Sequence, residues 1–266
     1  MSRLIMPGLH WIQELGPSRP GIVRTASSRQ AAWVTPEREV FVPQNAFLLA
    51  GERTLLFDTL SPAAAEHVIA ELERVLEGRT LDYLVVSHPD VPHAANTFAI
   101  LRRYPDARLV APRYGEGHAL YHLDHAWQVG EGDAIDLGGF VVRFHEASFL
   151  DAAISLWMSE DVTGTLFTVD WMGLPLLDGE GLSFMDELDV VDEDRFYEFH
   201  ARVLFWLQYV DAERVEAEMR HIRDHYRPRM IAPAHGPVMR TDVDRYLDLM
   251  QGVPRHILAT GRVGVL

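Results

Sequence analysis

Three short polar clusters follow apolar runs in this 266-residue chain. VVSHPDVPH carries His88, Asp90 and His93; LFTVDWMG carries Asp170; IAPAHGP carries His235, held between Pro233 and Pro237. Imidazoles and carboxylates are the side chains that bind divalent metals where thiolates are missing, and histidine also moves protons near neutral pH. Loops at strand ends can project such groups from a rigid frame. Any one of these residues alone is ordinary structural furniture. Three clusters in this order make a candidate metal site.

Composition narrows the chemistry further. The chain has no cysteine, which excludes disulfides, thiolate catalysis and cysteine-ligated iron–sulfur clusters. Lys plus Arg number 24 against 39 Asp plus Glu, a formal charge of -15 that repels phosphate backbones and anionic membranes. No stretch approaches the ~18 consecutive apolar residues of a membrane span. The start, MSRLIMPGLHWIQ, lacks the basic region and long apolar run of a signal peptide. A cytoplasmic protein with no nucleic-acid or membrane partner is the expectation.

The elements that would position the clusters are legible as periodicity. GLHWIQEL, VFVPQNAFLLAG and RTLLFDTL read as strands, and SPAAAEHVIAELERVLEG as a helix capped by Ser61 with Pro62 in its first turn and Gly78 at its end. LDYLVVSH reads as a strand buried on both faces, followed by a helix over about 94–104 and the strand ARLVAP. GDAIDLGGFVVRFHEA and TGTLFTVD add strands, 193–226 is helical with a break near 210–211, RPRMIAPAHG is a strand, and 242–251 a last helix. Strands and helices interleave twice without repeats or linkers. That predicts an α/β fold of packed sheets with helices outside, in one domain over residues 1–266.

Taken together, the segments resemble the metallo-β-lactamase superfamily, and within it the flavodiiron proteins. PGLHWI is similar to that family's first strand, NAFLL with LLFDT to NAYLI with LIDT, and LFTVDWMG to LFSxDAFG. FMDELD is similar to its acidic FxDEL segment, and IAPAHGPVMR to IAPSHGPIWR. The resemblance covers most of the chain and implies the four-layer αββα sandwich. It also implies a ligand set: His88 and Asp90 from the H-x-[HE]-x-D-H loop, bridging Asp170, and His235. His93 matches the last histidine of that loop, a ligand or a proton-relay group. Two positions depart from the family. Pro92 stands where the loop aspartate would bind a second metal, and Asp151, nineteen residues before Asp170, stands where the family has a histidine. By that count Asp151 is the expected ligand, ahead of His145 in the preceding strand.

Flavodiiron proteins reduce oxygen or nitric oxide at a non-haem diiron centre fed by a flavodoxin-like domain. This chain runs about thirty residues past His235, so no FMN is expected in it. The resemblance therefore implies a non-haem iron protein that binds or activates dioxygen, as an oxidase, a reductase or an oxygen sensor. Two irons are expected, or one if Pro92 disables the second position, with manganese or zinc as alternatives. Dioxygen or a small organic substrate and an external reductase are the implied partners, and a homodimer is open. A metal-dependent hydrolase and a metal-poor scaffold are the competing readings. Phe199 and His200 stand where the family has a tyrosine pair, which makes His200 a candidate proton donor or a packing residue. Trp157, Trp171 and Met172 are expected as pocket wall or core, and His118, His122 and His125 form a helical-spacing stripe.

Overall fold

The apolar runs become strands whose buried ends carry the polar clusters. A computed structural model of the chain describes residues 2–15, 40–113, 125–151 and 154–261. They divide into two compact units: residues 2–14, 44–113, 125–147 and 154–163 form one, and Leu15 with residues 40–43, 148–151 and 164–261 the other.

In the first unit, β1 (Ser2–Met6), β2 (Leu9–Glu14), β4 (Gln44–Ala50), β5 (Thr54–Phe57), β6 (Tyr83–Val85), β7 (Arg108–Pro112) and β8 (Trp127–Val129) form one sheet in that order. The strand β3 (Val40–Phe41) belongs to the second unit. Pairing is antiparallel from β1 to β5 and parallel from β5 to β8. The helix α1 (Ala65–Leu76) lays Val68, Leu72 and Leu76 onto Leu48, Leu56 and Leu84, all buried, which covers one face of β5 and β6. The short α2 (Val91–Ala94) and α3 (Thr97–Arg103) follow β6. Further along, β9 (Ala134–Asp136), β10 (Val141–Glu146) and β11 (Leu156–Glu160) make an antiparallel ladder.

In the second unit, β12 (Thr165–Val169) pairs in parallel with β14 (Met230–Pro233), and β3 pairs with β13 (Leu176–Leu177). The helices α4 (Glu193–Val203) and α5 (Ala212–His225) both pack on α6 (Val243–Thr260). Asp192 and Asp211 cap α4 and α5 by accepting from backbone N–H groups of the first turn. Asp211 also sets the expected break at 210–211, behind a 3-10 turn at Phe205–Tyr209.

Several boundaries differ from the sequence reading. Ser61 makes no side-chain cap; its N–H donates to Gln44, and Pro62 opens a 3-10 turn ahead of α1. The turn after α1 begins at Glu77, already left-handed at φ 49°, before Gly78. The last helix runs past Gln251 to Thr260, through Gly252 and Pro254. A methyl group on Gly252 would sit 2.9 Å from the Tyr197 ring of α4, so that glycine is a close-approach residue and not a stop.

Candidate metal centre

Parallel neighbours end side by side, so residues just past their C-terminal ends meet. Each unit uses this once. In the first, Phe57 of β5 pairs with Val85 of β6, and Asp58 and Ser87 leave the two strand ends together. Asp58, 1% exposed, accepts hydrogen bonds from Ser87 N (2.9 Å), Ser87 Oγ (3.0 Å) and His93 Nδ1 (2.7 Å). A carboxylate only accepts, so His93 carries its proton on Nδ1 and, as a neutral ring, its lone pair on Nε2. The Ser87 hydroxyl, having donated to Asp58, lies 3.3 Å from His88 Nδ1 and can accept from it, which selects the same tautomer there. Both rings are buried with centroids 3.9 Å apart, and a donor atom of each lies within 4.8 Å of one of the other. His88 Nε2 stands 4.0 Å from Oδ2 of Asp90, an exposed carboxylate.

The loop carrying these residues is stitched to the segment after β5. Thr59 Oγ1 donates to the His93 carbonyl, and Asn96 Nδ2 donates to the carbonyls of Thr59, Leu60 and Ser61. Asp58 and Leu60 both take left-handed backbone, at φ 67° and 61°. Pro92 falls in the first turn of α2, where its missing N–H costs nothing and its ring pre-sets the helical φ. Its side chain offers no ligand atom.

In the second unit, β12 and β14 bring Asp170 and His235 together in the same way, with Ala234 N donating to the Val169 carbonyl. His235 Nδ1 donates to the Pro43 carbonyl (2.7 Å), which turns Nε2 towards Asp170, 3.0 Å from its Oδ1. A carboxylate oxygen and an imidazole nitrogen this close would be able to hold one metal ion together. The turn is tight: Val169 and Met172 are left-handed at φ 55° and 68°, a conformation unusual for a β-branched residue. A methyl on Gly173 would fall 2.2 Å from the Phe199 ring, and one on Gly236 2.6 Å from Leu174 N. Only glycine lets these two strand-end turns lie together.

Asp151 belongs to this second unit, half-buried at the end of a segment anchored residue by residue. Ser148 Oγ donates to Glu218 of α5 (2.5 Å), Phe149 stacks on Trp171 and on Trp206, and the Leu150 carbonyl accepts from Trp206 Nε1 (2.8 Å). His145 lies in β10 with Nδ1 near Glu131 (3.1 Å) and Nε2 near Ser159 (2.8 Å).

His200 is fully buried in α4, where Nδ1 donates to the Phe196 carbonyl (2.8 Å) and Nε2 accepts from Met172 N (3.0 Å). Burial lowers its pKa from 6.5 to about 4, against a smaller opposing effect of the Phe196 hydrogen bond. Of the two roles open to His200 in the sequence, the geometry departs from the proton donor. It is a neutral brace under the turn that follows Asp170. Trp157, Trp171 and Met172 are fully buried. His125 sits in an exposed turn, while His118 and His122 lie outside the described residues. Asp58 and Ser87 are the site residues that sequence reasoning missed. The signal was present in LLFDT, a charged residue directly after an apolar run, in the same position relative to its strand as Asp170.

Both donor sets suit a metal ion. The histidines present Nε2 with Nδ1 hydrogen-bonded, and Asp90, Asp151 and Asp170 add carboxylates. The profile of the Metallo-beta-lactamase superfamily matches residues 40–166. The rubredoxin oxygen:oxidoreductase from Desulfovibrio gigas has the same fold, with a TM-score of 0.76 over 96% of this chain and 61% of that one, at 20% identity. The chain carries a metallo-β-lactamase domain. Among curated relatives, this domain is 27% identical over 208 residues to a putative diflavin flavoprotein A 1 from Thermosynechococcus vestitus, covering 77% of this chain and 35% of the relative. It is 28% identical over 211 residues to a nitric oxide reductase from Moorella thermoacetica, covering 77% and 51%. The chain thus spans about a third to about a half of the length of these curated relatives. Among the described residues, no helix of the metallo-β-lactamase domain is long and apolar enough to cross a membrane.

Proposed function

We propose that this chain is a non-haem iron protein that binds or activates dioxygen. His88, Asp90, Asp151, Asp170 and His235 hold the metal, and His93 serves as a further ligand or a proton-relay group. The donor chemistry carries the reading. Three carboxylates with few imidazoles suit iron(II) or manganese(II) better than zinc, which favours nitrogen and sulfur. Relatives named nitric oxide reductase and rubredoxin-oxygen oxidoreductase support redox chemistry over hydrolysis. Two irons are proposed, the second held by Asp170 and His235, joined by His93 in its ligand role, with no contribution from Pro92.

Bound iron would supply one-electron chemistry and an open position for a diatomic ligand, with electrons from an external reductase. The chain's own residues do the rest. Asp58 accepts from Nδ1 and fixes the His93 ring, which directs Nε2 of the neutral ring to bind metal or to take up a proton. The Pro43 carbonyl orients His235, and the buried Trp171 and Met172 exclude water beside Asp170. Loading the protein with ferrous iron without air and then admitting oxygen should produce a new absorption band. An unchanged spectrum overturns the oxygen reading. Ester or phosphodiester cleavage with zinc would favour the hydrolase in its place.

A further inference from the structure

The short segment of residues 148–151 stands apart in the chain: the residues before it belong to the first compact unit, while the segment belongs to the second. It lies in no helix or strand. Side chains of the second unit attach to it. Ser148 reaches Glu218 of α5, and the Phe149 ring lies against Trp171 at 5.2 Å and 15°, and against Trp206 at 6.0 Å and 20°. The Trp206 indole N–H donates to the carbonyl of Leu150, the residue directly before Asp151.

Trp206 makes two of these attachments and is itself part of the 3-10 turn between α4 and α5, where Leu207 is buried. The end residues of the turn, Phe205 and Tyr209, are exposed, so the turn is not simply core, and Trp206 is the aromatic in it that contacts the segment. The same stack ends on Trp171, the neighbour of Asp170. One ring system therefore fixes the approach of both aspartates within this unit.

We propose that Trp206 is a positioning residue for the metal site. Its indole N–H and ring hold the 148–151 segment so that the shorter Asp151 side chain reaches the metal where the family has histidine. The inference rests on the reading of Asp151 as a ligand. An aspartate reaches less far than a histidine, so its backbone must be placed more closely, and a loop without secondary structure cannot do that alone. Residues that orient a ligand typically contribute about 10–100-fold to metal affinity.

The test uses cobalt(II) as a spectroscopic probe, titrated into the metal-free full chain. Trp206→Phe keeps a ring against Phe149 and deletes the N–H; Asp151→Ala deletes the ligand; the double variant closes the cycle. Trp206→Phe is expected to weaken cobalt(II) binding by about tenfold or more and to shift its visible spectrum towards that of Asp151→Ala. In the Asp151→Ala background the same change should have no further effect, because a positioning residue acts only through what it positions. Unfolding temperatures of the metal-free proteins report general damage, and that of Trp206→Phe should stay close to wild type. Wild-type binding by Trp206→Phe, beside weakened binding by Asp151→Ala, overturns the inference and leaves the ligand reading standing. Fully additive losses also overturn it. Unchanged binding by Asp151→Ala overturns the ligand reading itself.

Discussion

Asp58 accepts three hydrogen bonds while almost wholly enclosed, and two of its donors, Ser87 N and Oγ, come from the residue beside His88. Removing this carboxylate leaves the His93 Nδ1–H and the Ser87 N–H buried without their acceptor. Asp58→Ala should therefore destabilise the fold by about 3 kcal/mol in urea denaturation, and weaken metal binding as well. Ser87→Ala, which keeps the backbone donor, should cost about 1 kcal/mol. His200 gives a pH signature of its own. The unfolded chain takes up a proton near pH 6.5, and the folded chain only near 4. Between those values the unfolded state binds more protons, so stability is full above 6.5 and falls as the pH drops towards 4, by on the order of 3 kcal/mol. Comparing urea midpoints at pH 7 and 4.5, His200→Gln should lose part of this slope; an identical slope would contradict the buried neutral ring. At this scale the clusters carrying the proposed donors His88, Asp90, His93, Asp170 and His235 were legible as candidates because each cluster follows an apolar run. The orienting Asp58 was not: its role depends on which strand lies beside β5, and one-dimensional pattern does not contain that.

Each unit has one pair of parallel strands that end together beside its donors, β5 with β6 and β12 with β14, with left-handed residues nearby and the backbone stitched by side chains; Asp151 comes instead from the segment 148–151. Gly173 and Gly236 mark how closely the two turns approach in the second unit. Gly173→Ala must push the Phe199 ring aside, and the expected loss is about 2–3 kcal/mol, read as a lower unfolding temperature. Phe199→Leu in the same chain should recover part of it, whereas equal loss in both backgrounds would place the clash elsewhere. Long amphipathic helices and apolar central strands were readable from period alone. The strands β1, β8 and β11 were not, because SRLIM and WQV are short and LWMSE lacks clean alternation, and their pairing partners decide them. The end of α6 was misplaced for a different reason. Gly252 and Pro254 are helix breakers by local preference, and packing on α4 overrides it.

For the whole molecule, the metallo-β-lactamase fold and the similarity to flavodiiron proteins followed from the order and spacing of motifs, which a fold preserves over long divergence. What the motifs leave open is the consequence of Pro92 and Asp151, since a changed ligand alters affinity without altering fold. A metal bound only by the folded state must stabilise it, by about 2.7 kcal/mol at a hundredfold excess over the dissociation constant. Ferrous iron added without air should therefore raise the unfolding temperature, and a chelator should reverse the rise. Asp170→Ala should abolish the response. The most direct measurement is the metal content of protein purified without added metal, by elemental mass spectrometry. The account predicts close to two irons per chain; one iron would confine the chemistry to a single ion. Zinc in their place, or no metal bound even on titration with ferrous iron, would contradict the proposal that these carboxylate-rich donors serve oxygen chemistry.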